Sequence, residues 1–290
     1  MPVKGKGEMI RIALPNKGTL SENSVRLMTE AGYTCKRYNR ELFVHDKKNE
    51  IDFVFLRPRD IAVYVSRGII DIGITGRDLG HEADVVLDEL LSLGFGQSKF
   101  CYAVPRQSSL TPYDFNGLRI ATSYPHLVKK DLAKRQIQSD IVKLDGAVEI
   151  SVTLGVADVI ADVVQSGRTL TEAGLKIVGS PLLESEAVVV AGPHTSVDDS
   201  SIRTCLERLR GIVVAREYVM IEYDAPETLL EKFCSVTPGI ESPTIAPLSK
   251  SGWVAVKAMV KQKNINNAMD KLTELGAKGI IVTNIRTCRL

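Results

Sequence analysis

The segment richest in usable chemistry runs Asp158-Val159-Ile160-Ala161-Asp162-Val163-Val164-Gln165-Ser166-Gly167-Arg168-Thr169-Leu170. Ser166, Arg168 and Thr169 place two hydroxyls and a guanidinium around Gly167, and a short helix is expected to start at Leu170. Loop hydroxyls beside a helix start form a cradle for a phosphate. Upstream, Val156, Val159, Ile160, Val163 and Val164 recur at helical spacing, which predicts an amphipathic helix with Asp158 and Asp162, four apart, on its opposite face. Like charges there repel, and the second sits where the helix dipole disfavours an anion, so sugar hydroxyls, a cation or water must compensate. Acids for a ribose diol beside a cradle for its 5'-phosphate are the logic of a phosphoribosyl site. The same residues also fit an ordinary helix with a solvated acidic face and a Ser-Gly turn, and spacing alone does not choose.

The elements that must position this segment alternate. Met9 to Leu14 reads as a strand, followed by the turn Pro15-Asn16-Lys17-Gly18 and a helix opened by a capping box at Thr19 and Glu22. Ile51 to Leu56, a turn at Arg57-Pro58-Arg59-Asp60, and a helix from Ile61 to Ser66 repeat the plan, and Asp71 to Thr75 is a third strand closed by Gly76-Arg77-Asp78. Lys99 to Val104, Leu118 to Thr122, Ile141 to Leu144, Lys176 to Val178 and Ala187 to Val190 are further strands, with helices beginning at Tyr124-Pro125 and spanning Ser200 to Arg216. Such alternation argues for parallel α/β sheets. The last stretch changes rhythm: strand Tyr218 to Tyr223, helix Pro226 to Phe233, strands near Thr244 to Leu248 and Trp253 to Val260, helix Asn264 to Leu275, strand Gly279 to Ile285. That β-α-β-β-α-β order is ferredoxin-like and defines a separate domain of about 70 residues.

The bulk properties exclude several classes. The 290 residues are 44% hydrophobic with a formal net charge of +2, enough for two or three domains and no electrostatic case for nucleic acid. Lys4 and Lys6 form a small basic leader read as a solvated tail. Cys35, Cys101, Cys205, Cys234 and Cys288 are scattered and form no C-x-x-C pair, against a disulfide framework or structural zinc and for a reducing cytoplasm. No apolar h-region and no run of ~18 apolar residues is present, so neither a signal peptide nor a membrane span is expected. His45, His81, His126 and His194 have no metal-ligand spacing.

DVIADVVQSGRTL resembles the phosphoribosyl-pyrophosphate signature of the ATP phosphoribosyltransferase family. IALPNKGTL, FLRPRDIAVYV, DIGITGRDL, RIATSYPHLVKKDL and LDGAVEISVTLGVAD match that family in order, and TPGIESPTIAPL with GAKGIIVTNIRTCRL resembles the regulatory domain of its long form. Many ordered segments are far more specific than one motif. The resemblance covers nearly everything after the first eight residues and implies a two-lobed, periplasmic-binding-protein-like α/β catalytic part plus a C-terminal ferredoxin-like (ACT-like) α+β domain. Residues 1–95 would form lobe I with 184–216 returning to it, 96–183 lobe II, and 217–290 the regulatory domain.

Implied roles follow residue by residue. Ser166, Gly167, Arg168 and Thr169, with Gln165 and Leu170, would hold the 5'-phosphate of phosphoribosyl pyrophosphate, so Arg168→Ala or Thr169→Ala should mainly weaken its binding. Asp158, Asp162 and Glu149 are candidates for the ribose hydroxyls, and Glu149 and Asp162 also for a Mg²⁺ shell. Lys17, Arg57 and Asp78 would face the cleft from first-lobe strand ends, where open α/β sheets bind ligands, and Tyr124 would stack on adenine or merely open a helix. Each also has a bland reading, as a solvated turn lysine, a helix-capping arginine beside Arg59, or a first-turn aspartate. Asp224, Ile240, Ser242, Thr244 and Gly279 match positions of an L-histidine pocket at a subunit interface. The implied partners are ATP, phosphoribosyl pyrophosphate and Mg²⁺, with L-histidine and AMP as inhibitors and a dimer or hexamer as assembly. A solute-binding protein and a phosphoribosyltransferase with another acceptor are the rival readings.

Overall fold

The computed structural model describes residues 9–39, 41–196 and 198–289, so Lys4 and Lys6 lie outside it. The chain divides into two compact units, Met1–Arg203 and Thr204–Leu290.

The first unit holds two sheets. One begins with β1 (Ile10–Pro15), α1 (Gly18–Glu30), β2 (Phe43–Asp46), β3 (Ile51–Leu56), α2 (Pro58–Ser66), β4 (Ile72–Gly76), α3 (Arg77–Glu82) and β5 (Asp88–Ser92). The chain then crosses to build a second sheet from β6 (Ser98–Pro105), β7 (Arg119–Thr122), α4 (Pro125–Arg135), β8 (Asp140–Lys143), β9 (Val159–Val164), α5 (Arg168–Glu172) and β10 (Leu175–Ser185). It returns at β11 (Ala187–Ala191), which inserts between β4 and β5. The sheet orders are β2-β3-β1-β4-β11-β5 and β10-β6-β9-β7-β8. In the first, β1 runs parallel to β3 and β4, while β11 is antiparallel to β4. In the second, β7 runs parallel to β8 and β9, and β6 is antiparallel to β9. This is the two-lobed plan expected from the sequence, with two strands missed: β2, with only Asp46 buried, and β5, with no buried residue.

The helix expected across Asp158 and Asp162 is a correction: these residues form β9. Val159 and Ile160 are fully buried, Val164 nearly so, and ladders to β6 and β7 close on both edges. A strand buried on both faces reads as a continuous apolar run, which mimics helical spacing over so short a span. Burying each such side chain contributes about 1.5–3 kcal/mol, against a few tenths per residue from helix propensity, so the tertiary frame decides. Val156, on the supposed apolar face, is 40% exposed. The capping box is a second correction, because α1 starts at Gly18 with Lys17 as N-cap and no side-chain cap.

The second unit carries most of α6 (Ser200–Glu217), then β12 (Tyr218–Pro226), α7 (Leu230–Val236), β13 (Thr244–Pro247), β14 (Trp253–Lys261), α8 (Ile265–Glu274) and β15 (Lys278–Asn284). Its antiparallel sheet has the order β13-β14-β12-β15, the ferredoxin-like arrangement. Alternate β12 and β14 residues, among them Ile221, Tyr223, Val254 and Val256, form a core with Phe233 of α7 and Leu272 of α8. The C-terminal tail lies against α6: Cys288 N–H donates to the Gly211 carbonyl at 3.1 Å and Arg289 pairs with Glu207 at 3.5 Å. A Cβ at Gly211 would meet the Cys288 carbonyl oxygen at 2.3 Å, so only glycine admits that approach.

Candidate active site

Residues beyond strand C-termini gather along one edge of the first unit. Pro15, Leu56 and Gly76 end the neighbouring parallel strands β1, β3 and β4, and Lys17, Arg57 and Asp78 follow them. In the second sheet Thr122 and Val164 end β7 and β9, leading into Tyr124 and into the 165–167 turn that opens α5. Open α/β sheets bind ligands at such ends.

The loop lines a cavity of about 270 Å³ together with Glu149, Asp162, Val163 and Val164. Gly167 adopts φ +73° as the N-cap of α5, a left-handed conformation natural to glycine, and this turns the chain sharply out of β9. The first-turn N–H groups of α5 have no partner within the helix, the general condition of a helix start. Ser166, Gly167 and Thr169 border the cavity, while Leu170 is buried and anchors the turn. Arg168 points outward, 83% exposed, its Nε donating to Glu172 Oε1 at 2.7 Å.

Two acids face this cradle. Asp162 is half-buried in β9, and Glu149 comes from a single 3-10 turn, Val148–Ile150, held by a left-handed Ala147 (φ 50°). Burial raises the Asp162 carboxyl above the ordinary aspartate value, with a further push from the Glu149 charge, against the Val163 N–H that donates to it at 2.8 Å. A carboxylate kept costly in this way favours a cation or hydroxyl donors in the cavity.

Asp158 stands apart from the loop. It precedes β9, at the opposite end of the strand from the loop, and its two oxygens accept from Arg119: Oδ1 from Nη2 at 2.8 Å, Oδ2 from the backbone N–H at 2.9 Å and from Nε at 3.1 Å. This holds its pKa below the usual aspartate range. Asp162 lies four strand residues on, about 13 Å at 3.3 Å per residue, and the cradle lies beyond it.

In lobe I, Lys17 and Arg57 are exposed, and among the described residues neither makes an ion pair. Asp78 differs. It is 5% exposed, its Oδ2 accepts from Tyr124 Oη at 2.7 Å, and its Oδ1 accepts from Ser185 Oγ at 2.6 Å. Both oxygens are thus engaged by hydroxyls. Tyr124 makes this bond and lies 5.1 Å, centroid to centroid, from Phe100. Arg59 crosses between lobes, donating to the Ser123 carbonyl at 2.8 Å with its guanidinium 5.2 Å from the Tyr124 ring centre. Ser185 carried no signal in the sequence, because nothing local distinguishes it.

In the second unit, a Cβ on Gly279 (φ +59°) would lie 3.8 Å from Asp224 Oδ2, so these two residues meet on the sheet face away from α7 and α8. Thr244 is on β13, with β14 between it and Asp224, about 10 Å away at 4.8 Å per strand. Ile240 and Ser242 are exposed on the connection leading to β13. The five positions are therefore split between the two sides of β14.

Among the described residues no helix is long and apolar enough to cross a membrane. A family model described as ATP phosphoribosyltransferase matches residues 57–211, and one described as HisG, C-terminal domain, matches 215–287. An ATP phosphoribosyltransferase of Salinibacter ruber is 56% identical over 283 residues, covering 97% of this chain and 100% of the relative. One of Rhodococcus jostii is 51% identical over 281 residues, covering 97% and 99%. The solved ATP phosphoribosyl transferase (HisG:HisZ) complex from Thermotoga maritima aligns at a TM-score of 0.63 and 26% identity, covering 71% of this chain and 99% of that one.

Proposed function

The chain belongs to the ATP phosphoribosyltransferase family, in its long form with a C-terminal domain, and we propose that it joins ATP to phosphoribosyl pyrophosphate in the first step of L-histidine biosynthesis. The products are N1-(5-phosphoribosyl)-ATP and pyrophosphate. The observation that carries this reading is the cavity at the end of β9, where a glycine-turned hydroxyl loop and two carboxylates line the same space.

Adenine N1 attacks C1 of the ribose as the C1–O bond to pyrophosphate breaks, and the leaving group takes the bonding pair. Positive charge grows on the sugar and negative charge on the departing oxygens. The N–H groups and hydroxyls of Ser166, Gly167 and Thr169 grip the 5'-phosphate. Asp162 and Glu149 hold the ribose hydroxyls and tolerate the developing cation. Lys17 and Arg57, free of ion pairs among the described residues, neutralise phosphates across the cleft. Alignment of this kind is worth roughly 7–11 kcal/mol of barrier. Asp78, with both oxygens occupied, is better read as a support than as a group that touches substrate.

Mg²⁺ fits this donor set. Among the described residues no group of three or more His, Cys, Asp or Glu could hold a metal, but Mg²⁺ commonly binds one or two carboxylates plus substrate phosphates. Glu149 and Asp162 would supply the carboxylates, and the ion, when bound, neutralises charge on pyrophosphate.

We further read the C-terminal unit as an L-histidine sensor, with Asp224 receiving a cationic amino or imidazolium group beside Gly279. The split of the five positions across β14 suits a pocket completed by a second subunit, in the dimer or hexamer that the family implies, and Ile281, 59% exposed on the same sheet face as Asp224, offers apolar contact area. AMP would compete at the nucleotide site. None of the five cysteines is joined in a disulfide, which supports a cytoplasmic setting. The decisive assay mixes the full chain with ATP, phosphoribosyl pyrophosphate and Mg²⁺ and measures pyrophosphate and N1-phosphoribosyl-ATP, with and without L-histidine. Binding of phosphoribosyl pyrophosphate without product would overturn the reaction, and unchanged turnover with L-histidine would overturn the sensor.

A further inference from the structure

Helix α4 starts without a cap of its own. Its N-cap residue is Tyr124, which makes no side-chain cap, and Pro125 has no N–H to satisfy. The next two donors are taken by a residue of the other lobe: His126 N–H donates to Glu82 Oε1 at 3.2 Å and Leu127 N–H to Glu82 Oε2 at 3.0 Å. A carboxylate at that position also meets the positive end of the helix dipole. Beside it, Asp84 pairs with His126 Nε2 at 3.0 Å, and Leu79 packs against the lobe II core that contains Phe100 and Tyr124. Immediately before Leu79, the buried Asp78 ties Tyr124 Oη to Ser185 Oγ at the end of β10. Burial, reinforced by Asp78, pushes the Tyr124 phenol up, so it remains a donor. One short element of lobe I, α3 with its following turn, thus engages the start of α4 through four side chains at once.

We propose that Glu82, with the Asp78–Tyr124 bond, is an interlobe clasp that caps α4 from across the cleft and so sets the separation of the two lobes, making Glu82 and Tyr124 positioning residues for the nucleotide half of the reaction. The clasp rests on the proposed reaction only for its kinetic consequence. Phosphoribosyl pyrophosphate is gripped within lobe II, by β9 and its loop, so a loosened clasp leaves that grip intact. The attacking adenine must be placed between that grip and the lobe I residues Lys17 and Arg57, so its placement depends on how far apart the lobes stand. Nothing in Glu82 itself needs to touch either substrate.

The test uses the full chain as wild type, Glu82→Ala, Glu82→Gln and Tyr124→Phe. Loss of a helix cap corresponds to roughly a 5- to 30-fold effect. The expected result is a rise of that size in KM for ATP for Glu82→Ala, with the phosphoribosyl pyrophosphate dissociation constant unchanged by calorimetry and partial recovery in Glu82→Gln, whose amide oxygen still accepts one bond. Equal weakening of both substrates, or no change in either, would overturn the clasp. Amide exchange reads the clasp without turnover. In Glu82→Ala, residues 77–84 and 122–127 should gain exchange together while 163–172 stays protected as in wild type. A gain confined to 122–127 would reduce Glu82 to a local cap and sink the proposal. An inactive wild type would refute the reaction alone, because exchange still decides the clasp.

Discussion

Arg119 and Asp158 are locked together by three hydrogen bonds at the start of β9, Nη2 to Oδ1 being 2.8 Å, while Asp162, four residues on, faces the cavity at the strand's other end. One acid of the pair is structural and the other is available to a ligand. Asp158→Asn should therefore lower Tm and leave KM for phosphoribosyl pyrophosphate unchanged. Asp162→Asn should raise that KM roughly ten- to hundred-fold, the scale of a lost charged hydrogen bond. Steady-state kinetics on both variants checks this, and the reverse ranking would return the ribose to Asp158.

Asp162 also predicts a stability change of opposite sign to its kinetic one. Its carboxyl titrates above the ordinary value because burial, then Glu149, disfavours the charge. The native state therefore keeps its proton at pH values where the unfolded chain has lost it, and stability falls as pH rises from the unfolded aspartate pKa through the raised native one. Asp162→Asn removes that penalty while keeping an acceptor for the Val163 N–H. Its Tm should exceed that of wild type at neutral pH, and the difference should vanish below about pH 4, where the unfolded carboxyl is protonated as well. A lower Tm at neutral pH would show that the carboxylate is satisfied by some group other than a ligand.

The loop that this strand carries depends on one backbone angle. Gly167 at φ +73° has room for a methyl, the nearest atom being Val164 Cγ1 at 3.8 Å. Gly167→Ala therefore meets no clash, and its cost is the left-handed strain of about 1–2 kcal/mol. The variant should fold, with KM for phosphoribosyl pyrophosphate raised several-fold and kcat less affected. Thr169→Ala and Arg168→Ala should move the same constant, Thr169→Ala by more, because Arg168 is turned toward Glu172. An effect of Arg168→Ala larger than that of Thr169→Ala would show that the guanidinium swings in when substrate binds.

Metal removal should abolish turnover without unfolding the chain. No three-ligand cluster exists among the described residues, so an ion held by Glu149, Asp162 and substrate phosphates contributes nothing to the free protein's core. Chelation followed by Mg²⁺ should restore activity fully, with one Tm in all states lacking substrate. A fall in Tm on chelation alone would point to a resident structural metal.

How much of this was readable beforehand differs by element. The alternating strands and helices, the ferredoxin-like order and the turn at Gly167 were legible because each is encoded locally, in periodicity, Gly or Pro, although the helix expected from Leu170 begins at Arg168. The strand character of Val159 to Val164 was not, since a strand buried on both faces loses the alternation that identifies it. The same loss hid the true partner of Asp158, because Arg119 lies 39 residues away and meets it only through the β7–β9 pairing. Ser185 and Glu82 act across lobes, and no sequence window contains both ends of such a contact.

The regulatory reading is tested where Gly279 faces Asp224. Gly279 sits at φ +59°, and a Cβ there would stand 3.8 Å from Asp224 Oδ2. A methyl therefore occupies the approach to the carboxylate without clashing, at the further cost of a left-handed side-chain residue in β15. Asp224→Asn removes the charge instead and keeps the shape. Both variants should retain KM and kcat in the absence of L-histidine, since neither lies in the unit that holds the catalytic cavity. Asp224→Asn should raise the inhibitory concentration of L-histidine roughly ten-fold or more, the scale of a lost charged hydrogen bond. Gly279→Ala should raise it through steric exclusion, and smaller histidine analogues should recover part of the inhibition in that variant only. If Asp224→Asn leaves inhibition intact while Gly279→Ala removes it, the ligand contacts the backbone of β15 and not the carboxylate.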